Sequence, residues 1–281
     1  MPTYTNQDLE ILIATMNRSD FSFLETMFKQ SLDSINAHVL IVNQSLDSEL
    51  ISIHENIRVI PMREMGLSKS RNLAIENSTK DLCWILDDDC IIETDAISRV
   101  VAAHNEYLDT VLTFKTITPS GKGFYDYKKS FYRHDPKTII PVLSPEITFK
   151  RKEIVQLNLR FDERFGLGAQ FQDSENLVFL EEVLGKNLEI GFVPETIVQH
   201  DAVTSSDEVL SDRLIYARGA LAGRRNAITA VFYSFKYVFF LWRKGYERSL
   251  SVLWHKMMVF QQGANDYVSG FKRPHENDVK Q

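Results

Sequence analysis

The 281-residue sequence predicts an α/β fold: a mainly parallel, twisted sheet flanked by helices, with a C-terminal helical extension. Three observations point there. Apolar runs of strand length alternate with helix-like segments over the first 120 residues, the pattern of a sheet covered on its faces. Polar and acidic residues follow several of these runs, where open parallel sheets bind ligands. From Asp207 to about Ser269 the pattern is helical.

Taken in order, Glu10–Thr15 (EILIAT) reads as a buried strand and Phe21–Ser31 as a helix. His38–Val42 and Ile57–Ile60 are strands, and Leu67–Asn77 is a helix opened by Gly66 and small hydroxyls. Leu82–Leu86 (LCWIL) is a strand that ends in Asp87-Asp88-Asp89. Ala96–Tyr107 is a helix and Thr110–Phe114 a strand. Prolines and glycines make 115–165 mostly loop, with a short strand at Ile147–Lys150. Glu175–Leu184 is helical and stopped by Gly185, and two short strands flank Pro194 at Ile190–Val193 and Thr196–Gln199.

Composition is that of a soluble globular chain, with 44% hydrophobic and 25% charged residues. Two cysteines, Cys83 and Cys90, are too few for a disulfide framework or a four-thiolate zinc site, so a reducing compartment is expected. Cys83 reads as an apolar filler, and spacing gives no support to a Cys-His metal site. The N-terminus MPTYTNQDLE has no basic or apolar leader region, so no secretory signal is expected. The net charge of −6 is unevenly spread. Nine Lys/Arg and one acid between Arg213 and Lys256 give that segment +8 and leave −14 for the rest. The C-terminal quarter is therefore expected to face something anionic.

Three adjacent carboxylates repel one another, so Asp87, Asp88 and Asp89 at the end of an apolar strand call for a cation. Oxygen donors suit Mn²⁺ or Mg²⁺, which bridge to phosphates. Gly66–Asn72, with Ser68, Lys69, Ser70 and Arg71, fits an anion at a helix start. Asp173 and Glu175 open the next helix, either as caps or as a general base. His200 ends an apolar strand and becomes a metal ligand only if the triplet lies beside it.

In this order the motifs resemble glycosyltransferase family 2, inverting enzymes of the GT-A fold, most closely the bacterial capsule and surface-polysaccharide type. The resemblance runs through Ile11–Arg18, Val42–Ser45, Gly66–Asn72, Leu86–Asp89, Phe161–Gly166, the acids at 173–175 and Val198–His200, about residues 9–201. It implies that Thr15, Asn17, Arg18, Asn43 and Ser45 hold the base and ribose, with Ser68, Arg71 and Asn72 near the nucleotide. Asp87 and Asp88 would contact the donor. Asp89, with His200 and Asp87, would hold the divalent metal, Mn²⁺ or Mg²⁺. Met16 stands where the family often has an aromatic residue, and Asn43 where it often has an aspartate. Asn176 occupies the position of the usual base, leaving Glu175, or else Asp173, as the catalytic carboxylate.

The resemblance also implies residues 1–204 as the nucleotide-sugar-binding and catalytic domain. Residues 205–281 would be a helical region that associates with membrane. The expected reaction moves a sugar from a UDP- or dTDP-linked donor to a hydroxyl of a glycan or lipid-linked acceptor, with inversion, in cell-surface polysaccharide synthesis. The expected location is cytoplasmic, peripheral on the inner face of the cell membrane. The alternative is a catalytically inactive nucleotide-sugar or glycan-binding protein, which Asn176 favours. A nucleotidyltransferase is disfavoured because Ala14–Asp20 has no glycine. Nucleic acid is not an expected partner, because the aromatics of the basic segment sit in apolar runs.

Within that segment Asn226–Trp242 has 17 residues and one charge, Lys236, short of the ~20 a spanning helix needs. Ile228, Val231, Phe232, Phe235, Val238, Phe239 and Trp242 share one helical face, bracketed by Arg224, Arg225, Arg243 and Lys244. A helix lying in an anionic membrane surface is expected, against a helix packed on the catalytic domain or on a second subunit in a homodimer.

Overall fold

The computed structural model describes residues 3–46, 50–201 and 209–270. They form two compact units, Met1–Phe161 with Asn176–Ala202, and Asp162–Glu175 with Val203–Gln281. The expected boundary at 204/205 and the expected helical start at Asp207 lie outside the described residues.

The first unit opens with β1 (Leu9–Met16), α1 (Ser22–Phe28), β2 (His38–Gln44), β3 (Ile57–Met62), α2 (Leu67–Asn77) and β4 (Leu82–Asp87). It continues with β5 (Ile91–Ile92), α3 (Ala96–Glu106), β6 (Val111–Ile117), β7 (Tyr132–Arg133), β8 (Ile147–Lys150) and α4 (Arg151–Gln156). The helix α5 (Glu175–Gly185) and the strand β9 (Ile190–Gln199) follow. The sheet runs β3-β2-β1-β4-β8-β6-β9-β5, with β7 paired to β9. β3, β2, β1 and β4 are mutually parallel, whereas β8 runs antiparallel between β4 and β6.

Central strands of a covered parallel sheet bury both faces, so they read as continuous apolar runs rather than alternating ones. β1 is buried from Leu9 to Thr15, and β4 from Leu82 to Leu86. Trp84, fully buried, donates its indole N–H to the Pro145 carbonyl at 2.8 Å. Cys83 is a buried filler whose thiol burial pushes up to about 12.

Several boundaries differ from expectation for local reasons. α1 stops at Phe28 because Lys29 takes a left-handed conformation, φ 52°. α4 gave no periodic signal, since Ile154 is its one buried residue. The two strands expected around Pro194 are one, β9. Its register with β6 jumps from Phe192↔Thr113 to Thr196↔Lys115, so Pro194 sits in an irregular stretch where its missing N–H breaks no ladder.

Among its described residues the second unit has three α-helices, α6 (Asp212–Arg225), α7 (Ala227–Lys244) and α8 (Leu250–Ser269). α6 and α8 meet backbone to backbone. A Cβ at Gly219 would lie 1.9 Å from the Phe260 carbonyl oxygen, and one at Gly263 would lie 2.0 Å from that of Tyr216. Only glycine permits this approach. Phe165 and Phe171 of the 162–175 segment pack against Tyr267, and Phe171 also against Tyr216. Arg164 lies over the Tyr267 ring at 4.1 Å while pairing with Asp162 at 2.7 Å. α7 starts at Asn226, whose side chain accepts from the Ile228 and Thr229 N–H groups, and ends at Gly245 with φ 77°.

Candidate active site

Parallel pairing of β2, β1 and β4 brings three polar strand ends to one edge of the sheet. Thr15 is opposite Asn43, and Ala14 opposite Asp87. Gly66 opens α2 at the same edge, its N–H donating to the Gln44 side-chain oxygen at 2.8 Å.

The first loop is fastened to both neighbouring strand ends. Asn17 sits at φ 55°, a conformation asparagine tolerates better than most residues. The Arg18 N–H donates to Asn43 Oδ1 at 3.1 Å, and Asn43 Nδ2 donates back to the Arg18 carbonyl at 2.8 Å. This reciprocal pair needs a donor and an acceptor on one side chain, which explains an amide where a carboxylate was the expected residue type. The Arg18 guanidinium pairs with Asp88 at 2.6 Å, and Thr15 Oγ1 also donates to Asp88. Ser45 is buried, its N–H bonded to the Met62 carbonyl. Ser68 is buried in the first turn of α2.

Arg71 is buried, and its two terminal nitrogens donate to Asp87 Oδ1 at 2.8 Å and Asn176 Oδ1 at 3.0 Å. The other Asp87 oxygen accepts from Ser144 Oγ at 2.7 Å. Asn176 therefore spends its oxygen on Arg71. Asn72 is similarly committed, exchanging two hydrogen bonds with the Phe161 backbone at 2.8 and 2.9 Å.

Of the three expected metal ligands, Asp89 and His200 stand together, with Nε2 3.3 Å from Oδ1. Asp87 faces Arg71 and Ser144 instead. His200 Nδ1 is 2.9 Å from the Asp201 carbonyl, so Nδ1 carries a hydrogen and Nε2 is the atom turned to Asp89. The Asp89 carboxylate lifts His200 to about 9, and the imidazole in turn holds Asp89 below the usual carboxylate range. At neutral pH the pair is imidazolium and carboxylate. The Asp89 carboxylate oxygen, on a 65%-exposed side chain, and the His200 imidazole nitrogen are donors that fit Mn²⁺ or Mg²⁺. Cys90 adds a sulfur to this group: the Asp89, Cys90 and His200 ligand atoms lie within 4.8 Å of one another. Burial and the neighbouring Asp87 and Asp89 charges keep that thiol protonated. Only the pairing of β5 with the end of β9 brings Asp89, Cys90 and His200 together.

Asp173 and Glu175 belong to the second unit. The Asp173 N–H donates to the Phe171 carbonyl, Ser174 Oγ donates to Asp173 Oδ2 at 2.8 Å, and Glu175 begins α5.

Sequence reasoning missed Ser144 and Glu146, which share one tight turn. Glu146 is fully buried and accepts from the Tyr125 and Tyr127 hydroxyls and the Leu143 N–H. Burial pushes its carboxyl up to about 7, against the pull of those donors. From about pH 4.5, the ordinary value, to about 7 the folded chain holds a proton the unfolded chain has lost. Stability from this group is thus greatest below the lower value and falls as pH climbs through the window, by on the order of 3 kcal/mol. Denaturant midpoints at pH 5 and pH 7.5 should show Glu146→Gln losing less stability than wild type over that interval. Parallel profiles would exclude Glu146 as the titrating group.

Comparison with known proteins agrees with this architecture. Residues 10–171 match the family described as Glycosyl transferase family 2. Crystal structures of S. aureus TarS share the fold. TarS 1-349 aligns with TM-score 0.59 at 16% identity, covering 94% of this chain and 83% of that one. Its complex with UDP aligns at 0.56 and 14%, covering 95% and 93%. The complex with UDP-GlcNAc aligns at 0.56 and 12%, covering 97% and 95%. Another TarS chain aligns at 0.54 and 19%, and there the alignment covers 76% of this chain and only 40% of that one. No curated protein sequence matches. The fold is the GT-A fold of nucleotide-sugar glycosyltransferases. The chain belongs to glycosyltransferase family 2.

Proposed function

We propose that this chain transfers a sugar from a UDP-linked donor to a hydroxyl of a glycan or lipid-linked saccharide acceptor, with inversion, in bacterial cell-surface polysaccharide synthesis. The observation carrying this reading is the Asp89–His200 pair at the carboxyl edge of a family 2 sheet. The S. aureus TarS complexes with UDP and UDP-GlcNAc support the donor class. Thr15, Asn17, Arg18, Asn43 and Ser45 form the edge that receives the base and ribose. Ser68, Arg71 and Asn72 shape the start of α2 beside it. Asp87 and Asp88 are held in place by Arg71 and Arg18, and orient the donor.

Asp89 and His200 would hold the divalent cation, Mn²⁺ or Mg²⁺, which when bound would offset charge on the leaving diphosphate. Glu175 takes the proton from the acceptor hydroxyl. The oxygen attacks the anomeric carbon as the bond to the diphosphate breaks on the opposite face, inverting the centre.

A thermal-shift panel of nucleotide sugars with Mn²⁺ tests this reading. A matching donor at 100 times its dissociation constant should stabilise the chain by about 2.7 kcal/mol. No stabilisation by any UDP-sugar, with either metal, would defeat the donor assignment. The tie between Asn176 and Arg71 favours a second reading, an inactive nucleotide-sugar or glycan-binding protein. Donor binding without transfer to any saccharide acceptor would support it.

A further inference from the structure

α7 packs through one face and presents the other to solvent. Ala230, Ser234 and Leu241 are buried, and the Tyr237 ring meets Phe260 of α8 at 5.8 Å between centroids. On the opposite side Ile228, Phe232, Phe235, Phe239 and Trp242 recur at helical spacing, each between 45% and 85% exposed. An exposed stripe of this kind marks a surface that something else covers. Among the described residues no helix is long and apolar enough to cross a membrane.

The charges select the occupant. α7 contains no acidic residue, and Lys236 and Arg243 lie four residues beyond Phe232 and Phe239, along one edge of the stripe. Lys244 is exposed at its end, and Arg248 reaches over the Trp242 ring at 6.0 Å. The surrounding +8 segment would meet its own like charges if two copies paired through this face, whereas an anionic surface complements it. Aromatic side chains beside cations are the composition of helices that lie in the lipid headgroup region.

We propose that α7 is a membrane-docking helix, lying in the plane of an anionic lipid surface with its Phe232–Phe235–Phe239–Trp242 stripe inserted and Lys236 and Arg243 at the headgroups. This rests on the second unit alone and not on the transfer reaction.

The full chain is mixed with vesicles of pure phosphatidylcholine, and with vesicles containing 30% phosphatidylglycerol, a composition of about one anionic lipid in three chosen to supply the surface charge. It should float with the anionic vesicles, and binding should weaken as salt rises. Trp84 is fully buried, so a blue shift on binding reports Trp242 and Trp254, both exposed. Phe235→Ser with Phe239→Ser should lower vesicle affinity at least tenfold. Because both side chains face solvent, the thermal midpoint should hold, which separates lost docking from lost folding. Lys236→Glu with Arg243→Glu should remove the preference for anionic lipid. Failure to bind either vesicle, equal binding to both, or a concentration-dependent dimer abolished by the Phe changes without vesicle binding would each overturn the proposal.

Discussion

Asp89→Ala should abolish metal-dependent donor binding while leaving the fold intact. The side chain is largely exposed, and its close polar neighbours are His200 and the Cys90 thiol, so its removal uncovers no core. Turnover should fall by at least ~10²–10³, the range for losing a group that stabilises transition-state charge. Calorimetry with Mn²⁺ is the direct check, and unchanged donor affinity in the variant would remove Asp89 from the metal site. His200→Ala should weaken metal binding less. His200 Nε2 must also give up its proton before it can act as a ligand. With that proton held to about 9, apparent metal affinity in wild type should rise with pH, by up to about tenfold per unit below that value. In His200→Ala this dependence should flatten.

The second large effect concerns the base. Asn176 cannot accept a proton, and its oxygen is engaged by Arg71. Glu175 precedes it directly in the chain, and Asp173 lies two residues further back. Glu175→Gln keeps the shape and removes the proton acceptor, so it should cost ~10²–10⁴ in turnover with donor binding retained. Asp173→Asn should act through its bond with Ser174 at the helix start, costing ~0.5–2 kcal/mol of stability at most. The reverse pattern would move the role to Asp173. Full transfer by both variants would end the carboxylate-base mechanism. Donor binding by a wild type that transfers nothing would make Asn176 the explanation.

The parallel half of the sheet was legible because strands buried on both faces advertise themselves as apolar runs, as EILIAT and LCWIL do. The polar residues that end them were legible for the same reason: an abrupt stop in such a run at Asp87 has few structural explanations. Contacts between distant segments were not legible. That the Asn43 amide also closes the first loop onto β2 depends on such a contact. Glu146 lies in a proline-containing turn, and its carboxylate is met by two tyrosines about 20 residues earlier. Cys90 reaches His200 only because β5 pairs with the end of β9. The aromatic face of α7 was visible from its spacing, but a hydrophobic pattern cannot say whether a face points inward or outward.

The contact at Gly219 and Gly263 carries a consequence for the history of the chain. Two helices interlocked through bare backbone cannot slide or rotate without collision, so their relative register tolerates no drift. The aromatic clasp of Tyr216 and Tyr267 on the 162–175 segment inherits that fixity. The stretch from Asn226 to Ser249 connects the two interlocked helices and packs on them through one face of α7. Its inner face is tied to α8 through Ala230, Ser234 and Tyr237, but its outer face can change while the clasp stays in place. Relatives should therefore keep small residues at the crossing and vary most freely on the outer face of α7.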